Sequence, residues 1–352
     1  MPPSHLLYFG TYTRNSTSQG IYATWLDTAT GALSEPVLAA AVTDPSWITL
    51  TPDRKFLYAI HGAPIQSIGF TTGGSNGHLH PLPTNTPAGR ANPPSHLAAD
   101  ATGRVLLSAN YRDGYISAVP IAADGALGQP RVIHHEGSGP NPKRQEKPHP
   151  HSVTLSPDNR HVIVADLGLD KIFTYALDAS TATLTPATPP FVRTEPGVGP
   201  RHFAFGKDGR HGYVINEMGG SVTVYDYDAA SGALQPKQTI STLPADFTGE
   251  NWNAEVRVHP SGKFLYASNR THDSLAVFAI AADSGKLTLL EIAPSGAKNP
   301  RNFALSPDGN WLVCGHQESE LVTVFGVDAA TGKLTPTRHT ARVASVVCVL
   351  FV

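Results

Sequence analysis

Cysteine is nearly absent: the 352-residue chain has two, Cys314 and Cys348. Two cannot build a disulfide framework, and without a C-x-x-C there is no zinc-type or redox pair. Both read as small buried hydrophobes of a reducing compartment. Charge is scarce as well. Only 15% of residues are charged and the formal net charge is −2, so nothing global draws the chain to nucleic acid or an anionic membrane. No apolar run approaches the roughly 20 residues of a spanning helix. The start, "MPPSHLLYFGTYT", has neither the basic nor the long apolar part of a secretory leader. A soluble, cytoplasmic protein is the expectation. Also missing are G-x-x-x-x-G-K-[ST], a dinucleotide fingerprint and a G-x-S-x-G elbow. Function must therefore be sought in a local site.

Glycine (32) and proline (30) are plentiful, and they punctuate the chain at regular intervals rather than gathering in a linker. One unit recurs, as in "PSWITLTPDRKFLYAIHG", "PHSVTLSPDNRHVIVADL" and "PRNFALSPDGNWLVCGHQ". Its copies start at 45, 94, 150, 200, 253 and 300, a period of about fifty residues. Each reads as strand, P-D-G-like turn, strand. A third strand such as "SVTVYDYD" follows, then an Asp/Gly turn and a fourth strand. Four strands per repeat with almost no helical periodicity predict propeller blades.

Both ends of the chain bear on the blade count. "LLYFGTYT" (6–13) aligns with a second strand and "GIYATWLD" (20–27) with a third, so the first blade begins without its first strand. "ARVASVVCVLFV" (341–352) is a lone strand with no successor. The prediction is an all-β, single-domain, seven-bladed β-propeller over 1–352. Each blade has four antiparallel strands, and the C-terminal strand closes the ring against the N-terminal blade.

Antiparallel pairing puts the start of each first strand and the end of each second strand at one mouth of the ring. Aligned on the turns, the first-strand starts carry His151, Arg201 with His202, Glu255 and Arg301. The second-strand ends carry Asn216 with Glu217, and Asn269 with Arg270. Arg257, two residues beyond Glu255, faces the same lumen. Packing does not call for arginine, histidine and glutamate there. Together they suit a small anionic substrate and acid–base chemistry; inter-blade salt bridges and solvated rim charges are the competing explanation.

The stretches "YFGTYT", "GSGPNPKRQEKPHPHSVTLSPD", "GPRHFAFGKDGRHGYVINE" and "YASNR" resemble the lactonase family of seven-bladed propellers, blade by blade along the chain. That family includes propeller-type 6-phosphogluconolactonases and fungal 3-carboxy-cis,cis-muconate cyclases. The resemblance implies a histidine, an arginine, a glutamate and a second arginine as the catalytic set, here His151, Arg201, Glu217 and Arg270. The resemblance leaves lactone hydrolysis and cyclisation both open; the basic loop "NPKRQEKPHPH" resembles the bacterial phosphogluconolactonase branch more and favours hydrolysis of a sugar-acid lactone, with 6-phosphogluconolactone the expected substrate. Lactonisation of a carboxymuconate, and a non-catalytic binding platform, are the alternatives. Glu217 or His151 would be the base, and Arg201 and Arg270 would hold the carbonyl oxygen or an anionic group.

His149, His202 and Arg144 are expected to contact substrate, as are Glu255, Arg257, Arg301 and Asn216. His149 and His151 flank Pro150 as a conceivable chelating pair. With no cysteine nearby and arginines matching the carboxylates, no metal is expected, nor any cofactor. The partners expected are a small lactone or carboxylate, without nucleic acid or membrane, bound by a monomer.

Overall fold

The computed structural model of the protein describes residues 3–62, 67–73, 76–83 and 92–352. Seven four-stranded antiparallel sheets stand around a central axis, and six of them run in simple sequence order from inside to outside. The seventh is shared between the termini. Val346–Phe351 is its inner strand and pairs with Ser4–Thr11, Leu7 opposite Phe351 and Gly10 opposite Cys348. Closure by the C-terminal strand thus occurs as the repeat predicts, and pairs the inner edge of Ser4–Thr11 that would otherwise be open. No helix among the described residues is long and apolar enough to cross a membrane.

The strands form where β-branched and aromatic residues run between turn residues, and their patterns follow radial position. The second strands His161–Asp166, His211–Asn216 and Phe264–Asn269 are buried at every residue. Both of their faces pack on neighbouring blades, so they read as continuous apolar runs. The outer strand Thr183–Arg193 has no fully buried residue. The core consists of layers between blades. Val105 and Leu107 pack on Val153 and Val164 in one layer, and Ile215 and Val224 on Val256 and Leu265 in another. Each such large aliphatic side chain contributes roughly 1.5–3 kcal/mol by burial. Cys314 and Cys348 are free thiols inside these layers.

Turn chemistry sets the register. The third turn residue is left-handed at Gly103, Asn159, Gly209, Gly262 and Gly309, and also at Arg54, where a side chain costs about 1 kcal/mol. Buried tyrosines then tie blade to blade. The Tyr58 hydroxyl donates to the Gly125 carbonyl at 2.7 Å, Tyr213 to Gly285 at 3.0 Å and Tyr266 to Gly332 at 2.7 Å.

Candidate active site

The mouth residues are aimed by a device that recurs around the ring. The inner strands Pro150–Leu155, Pro200–Phe205, Asn253–Val258 and Pro300–Leu305 each carry a β-bulge at their first residues. Two residues stand there against one on the second strand, which breaks the alternation of faces. The bulged pairs are His151–Ser152, Arg201–His202, Ala254–Glu255 and Arg301–Asn302. Strict alternation would send Arg201 and His202 to opposite faces. Instead Arg201 Nη1 stands 3.1 Å from His202 Nε2.

Inside this mouth lies a cavity of about 310 Å³. Its carboxylate is Glu217, only 3% exposed. Glu217 Oε2 accepts from Arg201 Nε at 2.9 Å and lies 3.0 Å from Arg270 Nη2; Oε1 accepts from Arg144 Nη2 at 2.5 Å. Burial alone would raise this carboxyl, but Arg270, Arg201 and Arg144 outweigh it and hold it at about 2. His151 Nε2 stands 4.0 Å from Glu217 Oε2, beyond hydrogen-bond range, and Nδ1 is buried without a partner. Burial, reinforced by Arg201 and then by His202, Arg301 and Arg270, keeps His151 well below the ordinary histidine value. It is a neutral imidazole among cations.

A second tier supports the first. Arg201 Nη1 donates to the Ala254 carbonyl at 2.6 Å, while His202 Nδ1 lies 3.2 Å from Glu255 Oε2. Asn302 donates to the same Glu255 oxygen, and Arg257 Nε is 3.4 Å from the other. Burial raises the Glu255 carboxyl, but Arg257, His202 and Arg201 bring it down to about 2. Burial takes His202 down to about 4, against the pull of Glu255. Trp47 and His96 complete this tier with ring centroids 4.0 Å apart.

The four residues of the catalytic set, His151, Arg201, Glu217 and Arg270, come together in the cavity, with Arg144, His202 and Arg301 in its wall. Four other expected substrate contacts are corrected. Asn216 is wholly buried and turned into its own blade, where Nδ2 donates to Ser221 Oγ and Thr223 Oγ1, both at 3.0 Å. It ends the strand one residue before Glu217, so the alternation of faces points it away from the mouth. His149 lies behind Tyr111, stacked on that ring at 4.3 Å with Nδ1 2.7 Å from the Tyr111 carbonyl oxygen. Pro150 and the bulge put His151 at the front. Glu255 and Arg257 sit in the tier beneath, short of the cavity wall.

The basic loop is anchored rather than loose. Gln145 is wholly buried, donates to the Leu167 carbonyl at 2.8 Å and accepts from the Asn141 N–H at 3.0 Å. That anchor delivers Arg144 to Glu217, while Lys143 and Lys147 remain exposed outside the cavity.

Several lining residues escape the sequence reading. Tyr12 and Tyr111 occupy the same slot, one past the second-strand exit, as Glu217 and Arg270; that alignment was the available signal. Trp252 precedes its strand and is 38% exposed, with Arg144 and Arg270 centred 5.3 and 5.5 Å from its ring. Among the described residues no group of three or more His, Cys, Asp or Glu is placed to hold a metal ion.

Three buried histidines make stability depend on pH. His96 and His151 lie well below 6.5 and His202 at about 4, all lowered first by burial. Above 6.5 the folded and unfolded chains are alike at these rings. As pH falls below 6.5, the unfolded chain binds protons that the folded chain refuses, so stability drops. The expected loss is about 1.4 kcal/mol per histidine per pH unit, until each folded-state value is reached. Urea midpoints measured at about pH 7 and about pH 5.5 should differ accordingly; equal midpoints would show that these rings are not held neutral.

A family model described as "Lactonase, 7-bladed beta-propeller" matches residues 6–351. The chain is 35% identical over 303 residues to the 6-phosphogluconolactonase of Bacillus subtilis (strain 168), covering 85% of this chain and 84% of the relative. It is 38% identical over 212 residues to the 6-phosphogluconolactonase of Pectobacterium carotovorum subsp. carotovorum (strain PC1), 60% of each chain. Among solved structures, a periplasmic gluconolactonase of Pseudomonas aeruginosa superposes with a TM-score of 0.93 at 32% identity, with 99% of both chains covered. With the ring, its terminal closure and the matched span all in agreement, this chain belongs to the lactonase family of seven-bladed β-propellers.

Proposed function

We propose that the chain hydrolyses a sugar-acid lactone, with 6-phosphogluconolactone as its substrate, and that His151 is the base. One observation carries this reading: among the described residues, a neutral imidazole, bonded to no protein group, stands in a cavity whose wall holds six arginines and one carboxylate. Such a wall attracts a small anion and stabilises negative charge developing on oxygen.

In this mechanism a water oxygen attacks the lactone carbonyl carbon as His151 takes its proton. Arg201 and Arg270 face the oxyanion. The tetrahedral intermediate collapses with cleavage of the ring C–O bond, and His151 returns the proton to the leaving alkoxide. The product is the open hydroxy acid. General acid–base help of about 10²–10⁴-fold and roughly 10²–10³-fold per oxyanion donor suffice for an already reactive ester. Glu217 is not the base. Three guanidinium groups occupy its oxygens and hold it at about 2, so it has little affinity for a proton. Its work is to fix Arg201 and Arg270 where the oxyanion forms.

The test is acid release from 6-phosphogluconolactone and glucono-δ-lactone, and loss of the conjugated-diene absorbance of a carboxymuconate, each corrected for its spontaneous rate. Saturable hydrolysis of the phosphorylated lactone is expected. Lactonisation of the muconate with no lactone hydrolysis, or no rate above the spontaneous one, would overturn the assignment.

A further inference from the structure

The hydrolytic cluster is gathered on Glu217. Arg144, Arg201 and Arg270 all bear on Glu217, so their charge is partly met. Arg14, Tyr12 and Arg301 also line the cavity, and they are not among the ion partners of Glu217. Arg14 is held from behind: Asp44 meets its Nε at 3.2 Å and accepts the backbone N–H groups of Thr13 and Arg14 at 2.9 and 3.1 Å. Neither terminal nitrogen of Arg14 has a partner among the described residues. Arg301 Nη1 donates to the neutral Gln317 Oε1 at 3.0 Å, and no carboxylate among the described residues meets its charge. Both guanidinium groups lie over the Tyr12 ring, the Arg14 carbon 5.2 Å and the Arg301 carbon 5.7 Å from its centre. Its hydroxyl is also without an acceptor among the described residues.

Two guanidinium groups and a phenol, all with donors to spare, therefore converge on one wall of the cavity. A carboxylate needs a single planar fork. Two forks gathered at one ring, with a hydroxyl donor, suit an anion of higher charge with three terminal oxygens. We propose that Arg14, Tyr12 and Arg301 form a phosphate-monoester subsite that selects a phosphorylated lactone, the ester seated here while the carbonyl faces His151 and Arg201. The nature of the substrate carrying the ester rests on the lactonase reading above; the presence of an anion subsite does not. Arg301 also lowers both Arg201 and His151, so an anion seated beside it offsets a charge that bears on the catalytic groups.

The experiment compares wild type, Arg14→Gln and Arg301→Gln, each first shown folded by its circular-dichroism melt. The readout is kcat/KM for 6-phosphogluconolactone divided by kcat/KM for glucono-δ-lactone. The ratio should fall about 10- to 100-fold in each variant, mainly through KM of the phosphorylated substrate. Calorimetric titration with 6-phosphogluconate, gluconate and inorganic phosphate reads the same wall without turnover. Wild type should bind 6-phosphogluconate more tightly than gluconate, and the variants should lose that preference. Free phosphate should bind weakly, because the ester arrives with the rest of its ligand. If wild type hydrolyses no lactone, the functional reading fails, while the titration still decides the subsite. An unchanged ratio in both variants, equal binding of the two acids, or phosphate binding as tight as that of 6-phosphogluconate would overturn it.

Discussion

His151→Asn is expected to lower kcat/KM for 6-phosphogluconolactone by about 10²–10⁴-fold, the usual worth of a positioned general base. Asparagine keeps a polar side chain at the bulge but cannot take a proton from water. The fold should tolerate the change. Neither imidazole nitrogen hydrogen-bonds a protein group among the described residues, so no buried partner there is orphaned. What is lost is edge packing against Tyr111, at 5.5 Å, and His202, at 5.1 Å. A melting temperature within a few degrees of wild type, with activity near the spontaneous rate, is the expected pair of results. Wild-type kinetics in a folded variant would remove His151 from the mechanism.

Glu217→Gln should act in a different way, striking stability first. The carboxylate is the shared counter-ion of three arginines, two of them nearly sealed from solvent: Arg201 is 2% exposed and Arg270 7%. Removing one partner of a buried ion cluster leaves uncompensated charge and typically costs about 3–5 kcal/mol. Activity should fall too, because Arg201 and Arg270 repel one another once their common anchor is neutral. Arg144→Met added to Glu217→Gln deletes one of the stranded cations. The double variant should therefore be more stable than the single one in urea unfolding, although it carries more substitutions. Additive losses, or a Glu217→Gln variant as stable as wild type, would mean that the carboxylate does not clamp the arginines.

The repeat near fifty residues and the incomplete units at both ends were enough to read seven blades and the seam between Val346–Phe351 and Ser4–Thr11. The mouth was legible for the same reason, since one alignment on the P-D-G turns placed His151, Arg201, Glu217 and Arg270 together. What alternation could not reveal was the bulge. A period of two sends Arg201 and His202 apart, yet the extra residue in the inner strand brings both to the site. The same rule, applied without the bulge, would have turned Asn216 away from Glu217 correctly; its place at the aligned mouth made it look like a contact. His149 was misjudged because nothing local announces that Tyr111, from the preceding blade, stands in front of it. Arg14 and Trp252 lie outside the repeated strands and carry no periodic signal, so only the closed ring shows that they reach the cavity.

The central claim is that a neutral, buried His151 activates water within the arginine-lined mouth. Its most direct test is kcat/KM for 6-phosphogluconolactone from about pH 4 to about pH 8, measured in parallel for wild type and His151→Asn. Because burial and the surrounding cations keep the ring well below 6.5, its active neutral form persists as the medium turns acid. The wild-type curve should stay level through 6.5 and fall only at more acid pH. The variant should lie at least about 100-fold lower and lack that fall. A wild-type curve already falling at or above 6.5, or a variant that follows it, would contradict the account.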